Sequence, residues 1–498
     1  MRALVGFAIA FTFLLQPAVA GTKYVDSSIG DDSGPGTSGA PYRTIRTALQ
    51  SVVPGDTIRI RSGLTYYEEE LFVDVPDLWI TNWGPGKPTI RGSLSLDPAV
   101  NVPPAADGPP RLFRKVDVFR IEAGGTAITR LIIEDAWHVG IAMRNDSGFI
   151  DDIVIRGCET RRSGSSGIYI EGGRNVELGY NTVREAVLRF ANECISLARS
   201  RQFDLHHNTI TDRFPKPMFD GDFVNGGEGI DVKVDSRNGL IRWNRLTNID
   251  GKFGIYLDGW EEGVSGVRVY NNFVRNCGAG VSVASEMGGT VSDIAIHGNV
   301  VTECDSGVFL GDHQGVVPNH PVDNVRIQFN TFVGNNGAGV AIRNPDLTNL
   351  QVNNNILIDN GKSRGDIASE NQAIYLAGSI TLASGLANNG WTIGNNLVPT
   401  GSDMGGTNNR FTPNQTSELW VQNFGPGQPH WNSPVLYFPV AGSKAIDKGW
   451  NTLIGERVFE DGEWVRLDIG YKLRRNVENG VVTMPNGKQD IGAREVPN

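Results

Sequence analysis

Residues 226–260 read GGEGIDVKVDSRNGLIRWNRLTNIDGKFGIYLDGW, and they contain both lines of a repeat that runs through most of the chain. One line is a glycine followed by strict apolar/polar alternation: Gly229-Ile-Asp-Val-Lys233, then Gly254-Ile-Tyr-Leu-Asp258. Alternation with period two marks a strand with one buried face. Ile230, Val232, Ile255 and Leu257 therefore point inward, and Asp231, Lys233, Tyr256 and Asp258 point outward. The other line is an alternating strand running into an asparagine turn, here LIRWNRL with Asn244.

Both lines recur in either direction. Glycine-led or equivalent phrases stand at 140–144, 167–171, 194–198, 229–233, 254–258, 280–284, 307–311 and 339–343. The turn asparagines are Asn181, Asn208, Asn244, Asn272, Asn299, Asn330 and Asn355, spaced 27, 36, 28, 27, 31 and 25 residues apart. Asparagine tolerates the left-handed conformation, and its amide bonds to neighbouring backbone. Repeats of this length with no helical periodicity predict a parallel β-solenoid, all-β, in which such asparagines stack as a ladder.

The alignment also yields two outward columns. One reads Ala142, Tyr169, Ser196, Asp231, Tyr256, Ser282, Phe309, Ala341; the other Arg144, Glu171, Ala198, Lys233, Asp258, Ala284, Gly311, Arg343. Chemistry-bearing side chains concentrate at the centre of the stack. The 36-residue coil carries its surplus at 213–227, directly before that centre, and the 31-residue coil expands at 311–324. Insertions in a solenoid gather on one face, often the binding face.

The ends differ from the middle. Met1–Ala20 has a basic Arg2, an apolar run and Ala18-Val19-Ala20, the pattern of a secretory signal, which predicts export. Without Arg2 the chain has 44 basic and 55 acidic residues, a net charge of −11 that argues against nucleic-acid or anionic-membrane partners. No apolar run is long enough to span a bilayer, and a monomer is expected. Tyr42–Val52 has helical spacing at Ile45, Ala48, Leu49 and Val52; Pro54-Gly55-Asp56 ends it, and Thr57–Arg61 alternates as a strand. The organisation expected is a signal peptide (1–20), a cap with the first coils (21–115), the central coils carrying the site (116–360), and last coils with a C-terminal cap (361–498). Four cysteines make no disulfide scaffold. Cys277 and Cys304, one coil apart, read as stacked thiols, with a disulfide as the alternative.

The opening segment and the closing SKAIDKGWN…QDIGAREV resemble those of secreted right-handed parallel β-helix proteins of the pectate-lyase-like superfamily. Glu228 followed five residues later by Lys233 resembles the motif of alginate lyases and chondroitinase B. The resemblance implies that Glu228 binds calcium and that Lys233 removes the proton alpha to a uronate carboxylate. The family's second glutamate is Gly226 here, and the arginine of its next coil is replaced by Asp258.

Asp258 stands one coil from Lys233, about 4.8 Å away, within salt-bridge reach. A carboxylate there favours a protonated lysine. Calcium held by Glu228, Asp231 and Glu193 would relieve this. The rival chemistry is glycoside hydrolysis by Asp231 and Asp258, about 8 Å apart on the diagonal, which is inverting spacing. In that scheme His313 is the general acid from the far side. Tyr256 joins the catalytic set, and Trp260, Glu286, Asp312 and Arg199 are expected substrate contacts. The expectation is an exported β-elimination lyase acting on a uronate polysaccharide, with a hydrolase as the alternative. A uronate C5-epimerase and a non-catalytic glycan-binding solenoid stand behind both.

Overall fold

The computed structural model describes residues 20–94, 116–213, 226–312, 317–361, 373–377 and 379–399, and the backbone of short strands between 410 and 482. Among these residues three long parallel sheets, of 14, 11 and 13 strands, wind into a solenoid. From Thr57 to Ile358 each coil contributes one strand to each sheet, with Leu347–Thr348 as an extra short pairing, and sequential coils are neighbours. The register is the one the glycine-led phrases predict: Ile195, Ile230, Ile255 and Val281 pair in one row, with Ser196, Asp231, Tyr256 and Ser282 in the next.

The core follows from that register. Ile141, Ile168, Ile195, Ile230, Ile255, Val281, Val308 and Val340 are all fully buried and stack coil on coil. Each such side chain contributes roughly 1.5–3 kcal/mol of transfer free energy. The glycine that opens the phrase is required by the stack itself. A Cβ at Gly229 would lie 2.5 Å from the Gly254 carbonyl oxygen and 2.7 Å from a Leu246 methyl.

The asparagine ladder forms, with one difference from expectation. The left-handed residue is the one before each asparagine: Tyr180, His207, Trp243, Asn271, Gly298, Phe329 and Asn354 all have φ between 55° and 66°. The asparagines themselves are buried hydrogen-bonding rungs. Asn244 Oδ1 accepts from the Asn208 backbone N–H (2.9 Å) and side-chain amide (3.0 Å), while the Asn244 amide donates to the Leu205 carbonyl and to Asn272 Oδ1. The ladder continues beyond Asn355 to Asn396, 41 residues on. That rung escaped the sequence reading because a long insertion, including the helix Leu382–Asn388, separates it from its neighbour.

The N-terminal helix is Ile45–Gln50, with Ile45, Ala48 and Leu49 buried on the end of the stack. Thr44 caps it, and the Glu68 carboxylate accepts from the N–H groups of Ile45 and Arg46 at 2.8 and 3.0 Å. Cys277 and Cys304 are free thiols. Most of the expected C-terminal cap, the signal segment and most of the 213–227 insertion lie outside the described residues. The described residues contain no helix long and apolar enough to cross a membrane.

Candidate active site

A cleft of about 1020 Å³ runs over the sheet built from the glycine-led strands. Its lining extends from His138 and Arg144 to Trp260 and Glu286, six consecutive strands, or about 24 Å at 4.8 Å per step. Asp231, Lys233, Tyr256 and Asp258 form the central floor, as the period-two rule places them. Facing away from the core has not left them exposed: Asp231, Tyr256 and Asp258 are 2%, 4% and 3% accessible. Segments ahead of the strands, carrying Glu193, Glu228 and Phe253, line the same cleft.

Lys233 corrects one expectation. Its Nζ lies 2.6 Å from Glu193 Oε1 and 3.2 Å from Asp231 Oδ2, so its ion pairs are with the preceding coil and its own strand, not with Asp258. The residue opposite Lys233 on the preceding coil is Ala198, and this small side chain leaves the amine room to lean back. Glu193 and Glu228 are themselves stacked neighbours, joined at the following residue by the Cys194 N–H to the Glu228 carbonyl. Lys252 Nζ lies 3.7 Å from Glu228 Oε1, and the Tyr256 hydroxyl donates to Glu286 Oε2 at 3.0 Å.

Carboxylates outnumber cations on this floor, and the titration behaviour follows. Burial, reinforced by Glu286, pushes the Asp258 carboxyl up to about 8. Burial raises Asp231 well above its ordinary value, with Lys233 opposing and Glu193 and Asp258 adding to the rise. Burial and the neighbouring Glu193 also raise Glu228. Lys233 goes the other way from a buried amine. Burial alone would depress it, but Asp231 and Glu193 outweigh burial and hold it above the usual lysine range. Tyr256 is pushed up by burial and by Asp258, and stays a phenol. Three buried carboxylate oxygens, Glu193 Oε2, Asp231 Oδ1 and Asp258 Oδ1, have no hydrogen-bond partner.

That donor set suits a cation in its chemistry but not in its present grouping. Among the described residues no three His, Cys, Asp or Glu side chains are gathered as metal ligands. The Lys233 ammonium occupies the place between Glu193 and Asp231 that calcium would take with Glu228. As arranged, the residues do not fit a calcium ion.

The other predicted residues separate. Trp260 and Glu286 line the cleft. Arg199 is not part of the lining; its guanidinium reaches Glu171 at 3.8 Å and Glu262 at 3.3 Å. His313 and the side chain of Asp312 lie outside the described residues. The sequence reading missed a second constellation at the far end. There the buried Asp117 carboxylate meets His138 Nδ1 at 2.9 Å and binds the Arg144 guanidinium, which lies over the Tyr169 ring at 5.1 Å. The Tyr169 hydroxyl donates to Glu171 at 3.0 Å. Arg144 and Glu171 were visible as polar members of the last outward column, but Asp117 and His138 lie ahead of the repeat phrase where no alignment constrains them.

The fold belongs to the right-handed parallel β-helix class. Residues 222–396 match the family model of a right-handed β-helix region, and residues 118–277 match that of the periplasmic copper-binding protein NosD. No curated protein matches the chain. Among solved structures it is similar to XylC in complex with xylose, at 12% identity and a TM-score of 0.47, over 81% of this chain and 88% of that one. Pectate lyase Pel9A is similar at 13% identity and a TM-score of 0.47, over 96% and 97% of the two chains. The A-module of the Azotobacter vinelandii mannuronan C-5 epimerase AlgE6 is similar at 15% identity and a TM-score of 0.46, over 74% and 96%.

Proposed function

We propose that this chain is an exported glycan-cleaving enzyme, and that it cleaves by hydrolysis, with Asp258 as general acid and Asp231 as general base. The observation that carries this reading is Asp258. It is buried on the floor of a long cleft, has one oxygen unpartnered, and keeps its proton up to about pH 8. A carboxyl protonated at neutral pH is what a glycosidic oxygen needs as it leaves.

Burial raises both carboxyls, and Asp258 adds to the rise at Asp231. The Lys233 ammonium, 3.2 Å from Asp231, opposes that rise and favours the ionised form that a base role requires. Their diagonal placement gives about 8 Å between Cα positions, and an inverting pair needs its two carboxyl groups set apart to admit a water. In this scheme Asp258 gives its proton to the glycosidic oxygen, and the leaving sugar departs as an alcohol. Asp231 takes a proton from the water that bonds to the anomeric carbon. Lys233 favours the charged form of Asp231 and, with the N–H left over from its two carboxylate partners, donates to a sugar hydroxyl. Trp260 offers an apolar platform at one end of the cleft.

Elimination with Lys233 as base is the second reading, favoured by the position of the amine on the cleft floor. It ranks lower because Asp231 and Glu193 hold that amine protonated. Kinetics of variants decide between the two. Asp258→Asn and Asp231→Asn should each lower kcat by about 100-fold or more with little change in KM, the cost of losing an acid or base. Lys233→Ala should chiefly raise KM. Near-normal kcat in Asp258→Asn, with turnover abolished in Lys233→Ala, would replace hydrolysis by elimination.

A further inference from the structure

Resting on the reading of the cleft as a glycan site, we propose that it takes an uncharged glycan and rejects uronates. Its buried, unpartnered carboxylate oxygens accept sugar hydroxyls, and its basic side chains are already committed to protein carboxylates.

The described lining holds six Asp and Glu side chains against three basic ones, Arg144, Lys233 and Lys252. Each basic group is bound within the protein. Asp117 holds Arg144, Glu193 and Asp231 hold Lys233, and Glu228 holds Lys252. His138 also rests against Asp117, at 2.9 Å. Among the described residues, a uronate carboxylate entering the cleft would meet carboxyl groups and no uncommitted cation, and repulsion at a half-buried site is screened far less than in water.

Sugar hydroxyls meet the opposite situation. Glu193 Oε2, Asp231 Oδ1 and Asp258 Oδ1 are acceptors without donors, and their side chains are 6%, 2% and 3% accessible. They stand on three successive coils about 4.8 Å apart along the axis, with Asp258 offset by two residues along its strand, so a glycan crossing these coils meets one acceptor on each. A buried acceptor left without a donor is costly, and a hydroxyl supplies that donor without bringing charge. Trp260, 39% accessible at one end, and Phe190 at the other add apolar faces for sugar rings.

Calorimetric titration of the full chain in EDTA at low salt and pH 7 tests this. The ligands are oligogalacturonate and oligomannuronate, each paired with its carboxyl-reduced twin, and neutral xylo-, manno- and cello-oligosaccharides. A neutral ligand should bind, and each uronate should bind at least about tenfold more weakly than its reduced twin, as expected for a like charge placed within a few ångström. The gap should narrow in Glu193→Gln and, without any substitution, as pH falls from 8 to 5. A uronate that binds in EDTA as tightly as its reduced twin overturns the proposal. So does a gap that closes when calcium is added. Binding of none of these oligosaccharides would instead remove the glycan reading on which the proposal rests.

Discussion

At the scale of single residues, the hydrolytic reading rests on Asp258 and the elimination reading on Lys233, and each carries a prediction. Asp258 is protonated in the fold up to about pH 8 but ionises near pH 4 in the unfolded chain. Its contribution to stability is therefore unchanged below about 4, falls as pH rises from there to about 8, and is level beyond. Asp258→Asn should stabilise the protein by roughly 1–3 kcal/mol at pH 8 and by less at pH 5, read from urea midpoints. In the unsubstituted enzyme kcat should decline as pH rises through about 8, because the acid loses its proton; a rate still climbing at pH 9 would exclude that role. Lys233 acts in the reverse sense. Removing it leaves Glu193 and Asp231 buried without their cation, so Lys233→Ala should cost about 3–5 kcal/mol at pH 8. The cost should be smaller at pH 5 than at pH 8, because burial raises Asp231 and a protonated carboxyl needs no cation. Equal loss at both pH values would show that the amine is held by packing and not by charge.

At the scale of the element, strand register was legible in the sequence and the partners of flexible side chains were not. Gly229 admits no side chain against the Gly254 carbonyl, so the phrase aligns itself, and period-two alternation then fixes Asp231 beside Tyr256 and Lys233 beside Asp258. Lysine has four rotatable bonds, and nothing in the alternation says whether it leans toward the following coil or back over Ala198. Glu193 was nominated as a metal ligand, but its pairing with Lys233 was hidden because it precedes the phrase, in the bend between sheets. The asparagine turns were read correctly as a ladder, with the left-handed residue misplaced by one position. The ladder gives its own test. Asn244→Ala removes an acceptor for the Asn208 N–H and a donor to the Leu205 carbonyl, both buried. It should destabilise the fold by about 2–4 kcal/mol, two orphaned backbone groups at roughly 1–2 each, measured by chemical denaturation. A loss below about 0.5 kcal/mol would mean that neighbouring rungs close over the gap.

At the scale of the whole molecule, an acidic chain presents a cleft whose described lining is itself acidic, with Arg144, Lys233 and Lys252 each paired to a protein carboxylate. The solenoid explains how so many carboxylates coexist. Successive coils bring carboxyls to the floor from the outward columns and from the bends ahead of the strands, and burial with mutual repulsion raises Glu228, Asp231 and Asp258. Sequence reading found the centre of the cleft because charged residues there interrupt columns of alanine, serine and glycine. It did not find the Asp117–His138–Arg144 end, where three side chains distant in sequence meet only in the fold. The central claim is that the cleft hydrolyses a glycosidic bond. Digestion of a polysaccharide panel in ¹⁸O-labelled water, with absorbance followed near 235 nm, tests it most directly. Hydrolysis predicts one ¹⁸O in each new reducing end and no rise in absorbance. Product that accumulates with rising absorbance and no label would contradict it.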